Sequence, residues 1–131
     1  MNENSAPYHA HIYYTAETRA QAVTLARRLA PGKASGAIAE LFFIGELRER
    51  AVGPHPVPEF EIHFSEGMMA SITPLLEASG LTSLVHPLTD DDLADHTTLA
   101  TWIGEPLPLK LEVLDPPGKN QGVTRFGKSD F

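Results

Sequence analysis

The sequence predicts a two-layer α+β sandwich, an antiparallel sheet with helices on one face, and three observations lead to it. Stretches with strand and helix periodicity follow the order strand, helix, strand, strand, helix, strand, with a further helix behind them. Glu59 to Phe64 alternates strictly, placing Phe60, Ile62 and Phe64 on one side and Glu59, Glu61 and His63 on the other. A rigid loop, Val52-Gly-Pro-His-Pro-Val-Pro58, separates the two middle strands, because three prolines remove amide donors and fix the backbone.

Tyr8 to Tyr14 is aromatic and β-branched and reads as the first strand, with Ala10, Ile12 and Tyr14 facing one way and His9, His11 and Tyr13 the other. Thr18 and Gln21 have the spacing of a capping box, and Ala22, Leu25, Ala26 and Leu29 recur at helical intervals until Pro31-Gly32, where the helix is expected to stop. Residues 37–47 form a more continuous apolar run, and Phe42-Phe43 favours a second strand there. After the third strand, Ser65 is placed to cap a helix whose stripe is Met68, Ile72, Leu75 and Leu76 and whose end is Ser79-Gly80. Leu81 to Pro87 reads as a fourth strand carrying His86.

Thr89 followed by Asp90, Asp91 and Asp92 predicts a helix start, and the helix is expected to run to Ile103 with Leu93, His96, Ala100 and Ile103 on one inward stripe. Leu107, Leu109, Leu111 and Val113 suggest an extended edge segment. The order of elements matches a ferredoxin-like sandwich, in which the first strand lies between the third and the fourth. Residues 1–114 are read as that domain and 115–131 as a polar tail that packs on it or on a partner subunit.

The charge balance narrows the function. Ten Lys and Arg against seventeen Asp and Glu give a net charge of -7, which disfavours nucleic acid as a partner. The absence of Cys excludes disulfides, thiolate metal sites and Cys nucleophiles, so any metal must rest on His, Asp or Glu. No stretch approaches the roughly 18 apolar residues that span a bilayer, and a cytoplasmic protein without a membrane partner is expected.

Six histidines remain as the chemical signal. His9 and His11, two apart on a strand, can face a common centre, and Glu61 is the carboxylate that strand parity offers beside them. Two imidazoles and one carboxylate would suit Fe(II), Mn(II) or Zn(II). The other reading of the same pair is two half-buried hydrogen-bonding residues. His55 could merely end the Pro-rich loop, and His63 is expected as a solvated outward position. His96 could equally be a core histidine bonded to a carbonyl, while Tyr13 and Trp102 could stack on an aromatic ligand or simply pack.

Five segments taken together resemble the DOPA 4,5-dioxygenase family of fungal and bacterial type: Tyr8-His-Ala-His-Ile-Tyr13, Val52-Gly-Pro-His-Pro56, Leu84-Val-His-Pro-Leu-Thr89, Asp91-Asp-Leu-Ala-Asp-His96 and Ala100-Thr-Trp-Ile-Gly-Glu-Pro-Leu-Pro108. The resemblance runs from about Tyr8 to Leu109 and places family motif histidines at His9, His11, His55, His86 and His96. It implies a small, usually dimeric, ferredoxin-like extradiol dioxygenase that opens a catechol such as DOPA with non-haem Fe(II) and O2. Zinc or another divalent ion could occupy the same site. On that basis His11, His55 and His86 are expected as metal ligands with Glu61 as a rival, and His9 and His96 as the base and acid. The competing expectation is a non-catalytic metal- or small-molecule-binding module on the same scaffold.

Overall fold

The computed structural model of the chain describes residues 7–36, 38, 40–51, 54–89 and 92–114. Its elements are β1 (Pro7–Tyr13), α1 (Arg19–Ser35), β2 (Leu41–Ile44), β3 (Glu59–Ser65), α2 (Met69–Ala78), β4 (Ser83–Pro87), α3 (Asp92–His96) and β5 (Thr101–Ile103). The strands form one sheet in the order β2-β3-β1-β4-β5, and every neighbouring pair is antiparallel. β1 therefore lies between β3 and β4, as the ferredoxin-like reading requires. The tail expected over 115–131 falls outside the described residues, as do Asp90 and Asp91 of the expected helix cap.

Strand parity sorts the side chains. Ala10, Ile12, Phe60, Ile62, Phe64 and Val85 pack with Ala22, Leu25 and Leu29 of α1 and Ile72 and Leu76 of α2 in one apolar core. Phe60 and Phe64 are completely buried there. Phe60→Ala is expected to cost about 3–5 kcal/mol of stability, because the void it leaves in a close-packed layer cannot collapse fully. A denaturant midpoint barely displaced in that variant would contradict this packing.

Several boundaries differ from the sequence reading, each for a local reason. α1 continues past Pro31 to Ser35, since a proline removes only its own amide bond, and the turn closes at Gly36 with φ 81°. The Thr18 hydroxyl does not cap α1; it accepts the Thr15 amide at 2.8 Å, while the Gln21 side chain donates to the Ser79 carbonyl at 3.1 Å. Ser65 completes β3 instead of capping α2, and a single 3-10 turn over Glu66–Met68 intervenes. The strand expected over 37–47 contracts to Leu41–Ile44.

The largest correction concerns the helix expected to reach Ile103. It ends at His96, and Thr101, Trp102 and Ile103 form β5, paired with Val85, Leu84 and Ser83. Threonine hydroxyls compete here for backbone carbonyls: Thr97 Oγ1 donates to the Leu93 carbonyl at 2.6 Å. β-branched and aromatic side chains then favour the pleated edge over another helical turn. Leu93, expected on the inward stripe, is exposed, whereas His96 is buried as that stripe required. Residues 105–110 adopt no regular strand, and Leu111–Val113 make a 3-10 turn in place of the expected edge segment.

Candidate metal centre

The face of the sheet opposite α1 and α2 was expected to be open, with His63 solvated. Instead it is covered, and His63 is completely buried. Register sets His9 directly between His63 of β3 and His86 of β4, and His11 between Glu61 and Leu84. The Pro-rich loop lays His55 over this face and α3 adds His96, so that all six histidines of the chain are buried together with Glu59 and Glu61. Asp95, fully buried, accepts the Thr89 amide at 3.0 Å and the Thr89 hydroxyl at 2.7 Å, which pins α3 to the end of β4.

At the centre, His11 Nε2 and His86 Nε2 lie 3.0 Å apart. The hydrogens of both rings are accounted for elsewhere. His86 Nδ1 is 2.7 Å from the Pro87 carbonyl oxygen, which can only accept, so Nδ1 carries the hydrogen. His11 Nδ1 is 2.8 Å from Glu59 Oε1 and donates to that carboxylate in the same way. Two imidazole lone pairs therefore face each other, an arrangement that calls for a proton or a cation between them.

A proton is the poorer occupant. Burial, then the neighbouring His96, His11 and His9, hold the His86 pKa well below its ordinary value, against a smaller opposing effect of the Pro87 carbonyl. A divalent ion bound to two nitrogens at about 2.0–2.1 Å separates them by about 3.3 Å in tetrahedral geometry, close to the spacing observed. The donor chemistry thus fits an imidazole-rich metal site, and a carboxylate holding the distal nitrogen of a ligating histidine is its usual support.

Among the described residues, three sets of donor atoms could hold a metal ion: His9, His11 and His86; His11, His55 and Glu59; and His9, Glu61 and His63. Of the expected ligands, His11 and His86 are brought face to face. His55 packs on His11 with ring centres 4.2 Å apart, and its Nε2 lies 3.6 Å from Glu59 Oε1. Glu61 stands with His63, whose Nε2 is 2.9 Å away, and with His9, whose Nδ1 is 3.7 Å away. Of the expected acid and base, His9 stacks on His63 at 3.6 Å between ring centres, and His96 packs on His86 at 4.3 Å.

Sequence reasoning missed Glu59 as a partner of the histidines and His63 as a buried one. Glu59 had a legible signal, since it shares parity with Glu61 and follows His55 by four residues. Tyr13 joins the same network through its hydroxyl, 2.7 Å from His55 Nδ1. Burial and then Glu59 push the Tyr13 pKa far up, so the phenol stays protonated. The His55 pKa is lowered by burial first and by His11 and His96 after it, which keeps its ring neutral.

A buried layer of imidazoles and carboxylates on an α+β sheet defines a class of protein able to present a divalent metal inside a small scaffold. The particular lineage follows from comparison with known proteins: residues 8–113 match the Dopa 4,5-dioxygenase family, and the chain belongs to it. An uncharacterized 21.2 kDa protein of Botryotinia fuckeliana is 37% identical over 76 residues, or 50% of this chain and 42% of that protein. The DOPA 4,5-dioxygenase of Amanita muscaria is 42% identical over 62 residues, or 46% of this chain and 27% of that protein. The match therefore spans less than half the length of either relative. A crystal structure of a "putative dioxygenase" from Nostoc punctiforme is 30% identical, with a TM-score of 0.66 over 84% of this chain and 91% of that one.

Proposed function

We propose that this protein is an extradiol dioxygenase that opens the ring of a catechol such as DOPA with O2 and non-haem Fe(II). The observation that carries the reading is the buried His11–His86 pair, two imidazole nitrogens 3.0 Å apart in a member of a dioxygenase family. His11 and His86 would hold the metal, with His9 as the third donor because its ring nitrogen belongs to the same set. Expected ligands His55 and Glu61 stand beside this set, His55 with Glu59 and Glu61 with His63. Fe(II) held by these residues would supply the redox chemistry that lets a catechol react with O2, a direct reaction being spin-forbidden.

The protein's own groups supply positioning and proton transfer. Glu59 orients His11 by accepting its Nδ1–H, and the Pro87 carbonyl does the same for His86. His55, kept neutral, and the protonated Tyr13 hydroxyl 2.7 Å from its Nδ1 would hold each other in position on the covered face. His96, against His86, takes the catechol proton, and the burial of the whole layer keeps bulk water from the reacting atoms. Cleavage of a ring carbon–carbon bond beside one hydroxyl with both oxygen atoms inserted gives a muconic semialdehyde.

Anaerobically iron-loaded protein mixed with catechols, DOPA among them, and then with air should consume one O2 per catechol and develop a visible absorbance. Failure across the panel with metal verified as bound would leave the binding-module alternative. Glu59→Ala should weaken metal affinity about 10- to 100-fold while leaving the fold intact. Competition against a chromogenic chelator measures it; unchanged affinity would remove Glu59 from this role.

A further inference from the structure

His96 belongs to two surroundings at once. Its ring packs on His86 at 4.3 Å, and it also borders a hollow of about 320 Å³ shared with Trp102, Leu107, Pro108, Leu109 and Leu111. The volume lies in the range of about 300–1,000 Å³ where small-molecule sites fall. One end of the hollow is thus the His96 imidazole with Thr97 beside it, and indole and aliphatic side chains from Trp102, Leu107, Leu109 and Leu111 line the other side.

The hollow is anchored to the fold at both ends. Trp102 sits in β5 opposite Leu84, half-buried, and its ring lies 6.0 Å from that of Tyr13 at 24°, so the indole plane is held by the same tyrosine that bonds His55. Gly104, with φ 85°, turns the chain out of β5, and a Cβ there would meet Thr82 Oγ1 at 3.0 Å. The chain then runs through Pro106 and Pro108, and the Lys110 amide donates to the Pro54 carbonyl at 2.8 Å, fastening this wall to the loop that carries His55.

We propose that this hollow receives the aromatic ring of the substrate, with Trp102 as its stacking platform and Leu107 and Leu111 as the surface for a ring substituent. The identity of that ring as a catechol rests on the dioxygenase reading. A cavity of about 150 Å³ is enough to hold benzene. The larger hollow therefore leaves room beyond one ring, and its aliphatic walls favour catechols with an apolar substituent. KM should fall about two- to fourfold for each methylene added from catechol through 4-methylcatechol to 4-ethylcatechol.

Trp102 is the chain's one tryptophan, so its emission reports on the hollow alone. In the zinc-loaded protein, where no redox turnover occurs, 4-ethylcatechol should quench that emission saturably. In the iron-loaded protein, Trp102→Ala should raise KM about tenfold with kcat within twofold and metal content unchanged, and Trp102→Phe should restore most of the loss. If Trp102→Ala does not fold, Leu107→Ala supplies the same reading through a flattened substituent series. Turnover with an unchanged KM in a folded, metal-replete variant, or with no emission change at saturating substrate, overturns the hollow and leaves the dioxygenase reading standing. Saturable quenching without turnover of any catechol supports the hollow and removes that reading instead.

Discussion

Replacing His86 by alanine should yield a folded protein that retains no metal at its central site and shows no ring-cleaving activity. The expectation follows from the facing nitrogens of His11 and His86, since without His86 the set keeps only His9 and His11 and loses the nitrogen that closes on His11. Metal added at about a thousand times its dissociation constant should stabilise the parent by roughly 4 kcal/mol, and that gain should vanish in the variant. The metal-free forms should differ far less, because the deletion also removes a repulsive juxtaposition. A variant that keeps its metal, or one whose metal-free form unfolds as readily as Phe60→Ala, would assign His86 to packing rather than ligation.

Acid should destabilise the metal-free protein early. His55 and His86 have folded-state pKa values below the ordinary 6.5, so in the window below 6.5 the unfolded chain binds protons that the folded chain refuses. Their contribution is fully present above that value and is lost as pH falls toward their lowered folded values. Each such histidine steepens the loss by about 1.4 kcal/mol per pH unit within the window. Denaturant unfolding of chelator-treated protein between pH 7.5 and 5.5 checks the slope. A flat profile would mean that these imidazoles are accessible to protons in the folded state. Bound metal should move the decline to lower pH, since the ion occupies nitrogens that protons would otherwise take.

Much of the scaffold was legible because it rests on period-two alternation. Phe60, Ile62 and Phe64 against Glu59, Glu61 and His63 assigned two faces without ambiguity, and β1 followed by the same logic. Where alternation was short or mixed, reading failed. Thr101-Trp-Ile is only three residues long and is a strand only because β4 offers it an edge, a tertiary fact invisible in local pattern.

The site was legible in its residue types and less so in its surroundings. Parity placed His9 and His11 together, but burial depended on His55 arriving from the Pro-rich loop and His96 from the short helix α3, so a face that reads as polar became enclosed. His63 illustrates the point: alternation put it outside the apolar core, yet it is completely buried under a second, polar layer. Strand parity offered Glu61 beside His9 and His11; its carboxylate meets His9 and His63, while His11 bonds to Glu59.

The proposed donors all come from adjacent central strands, whereas the wall of the hollow comes from an irregular, proline-bearing segment that leaves the sheet after Gly104. Insertions or exchanges in that segment would alter which molecules are admitted without disturbing the residues that perform chemistry.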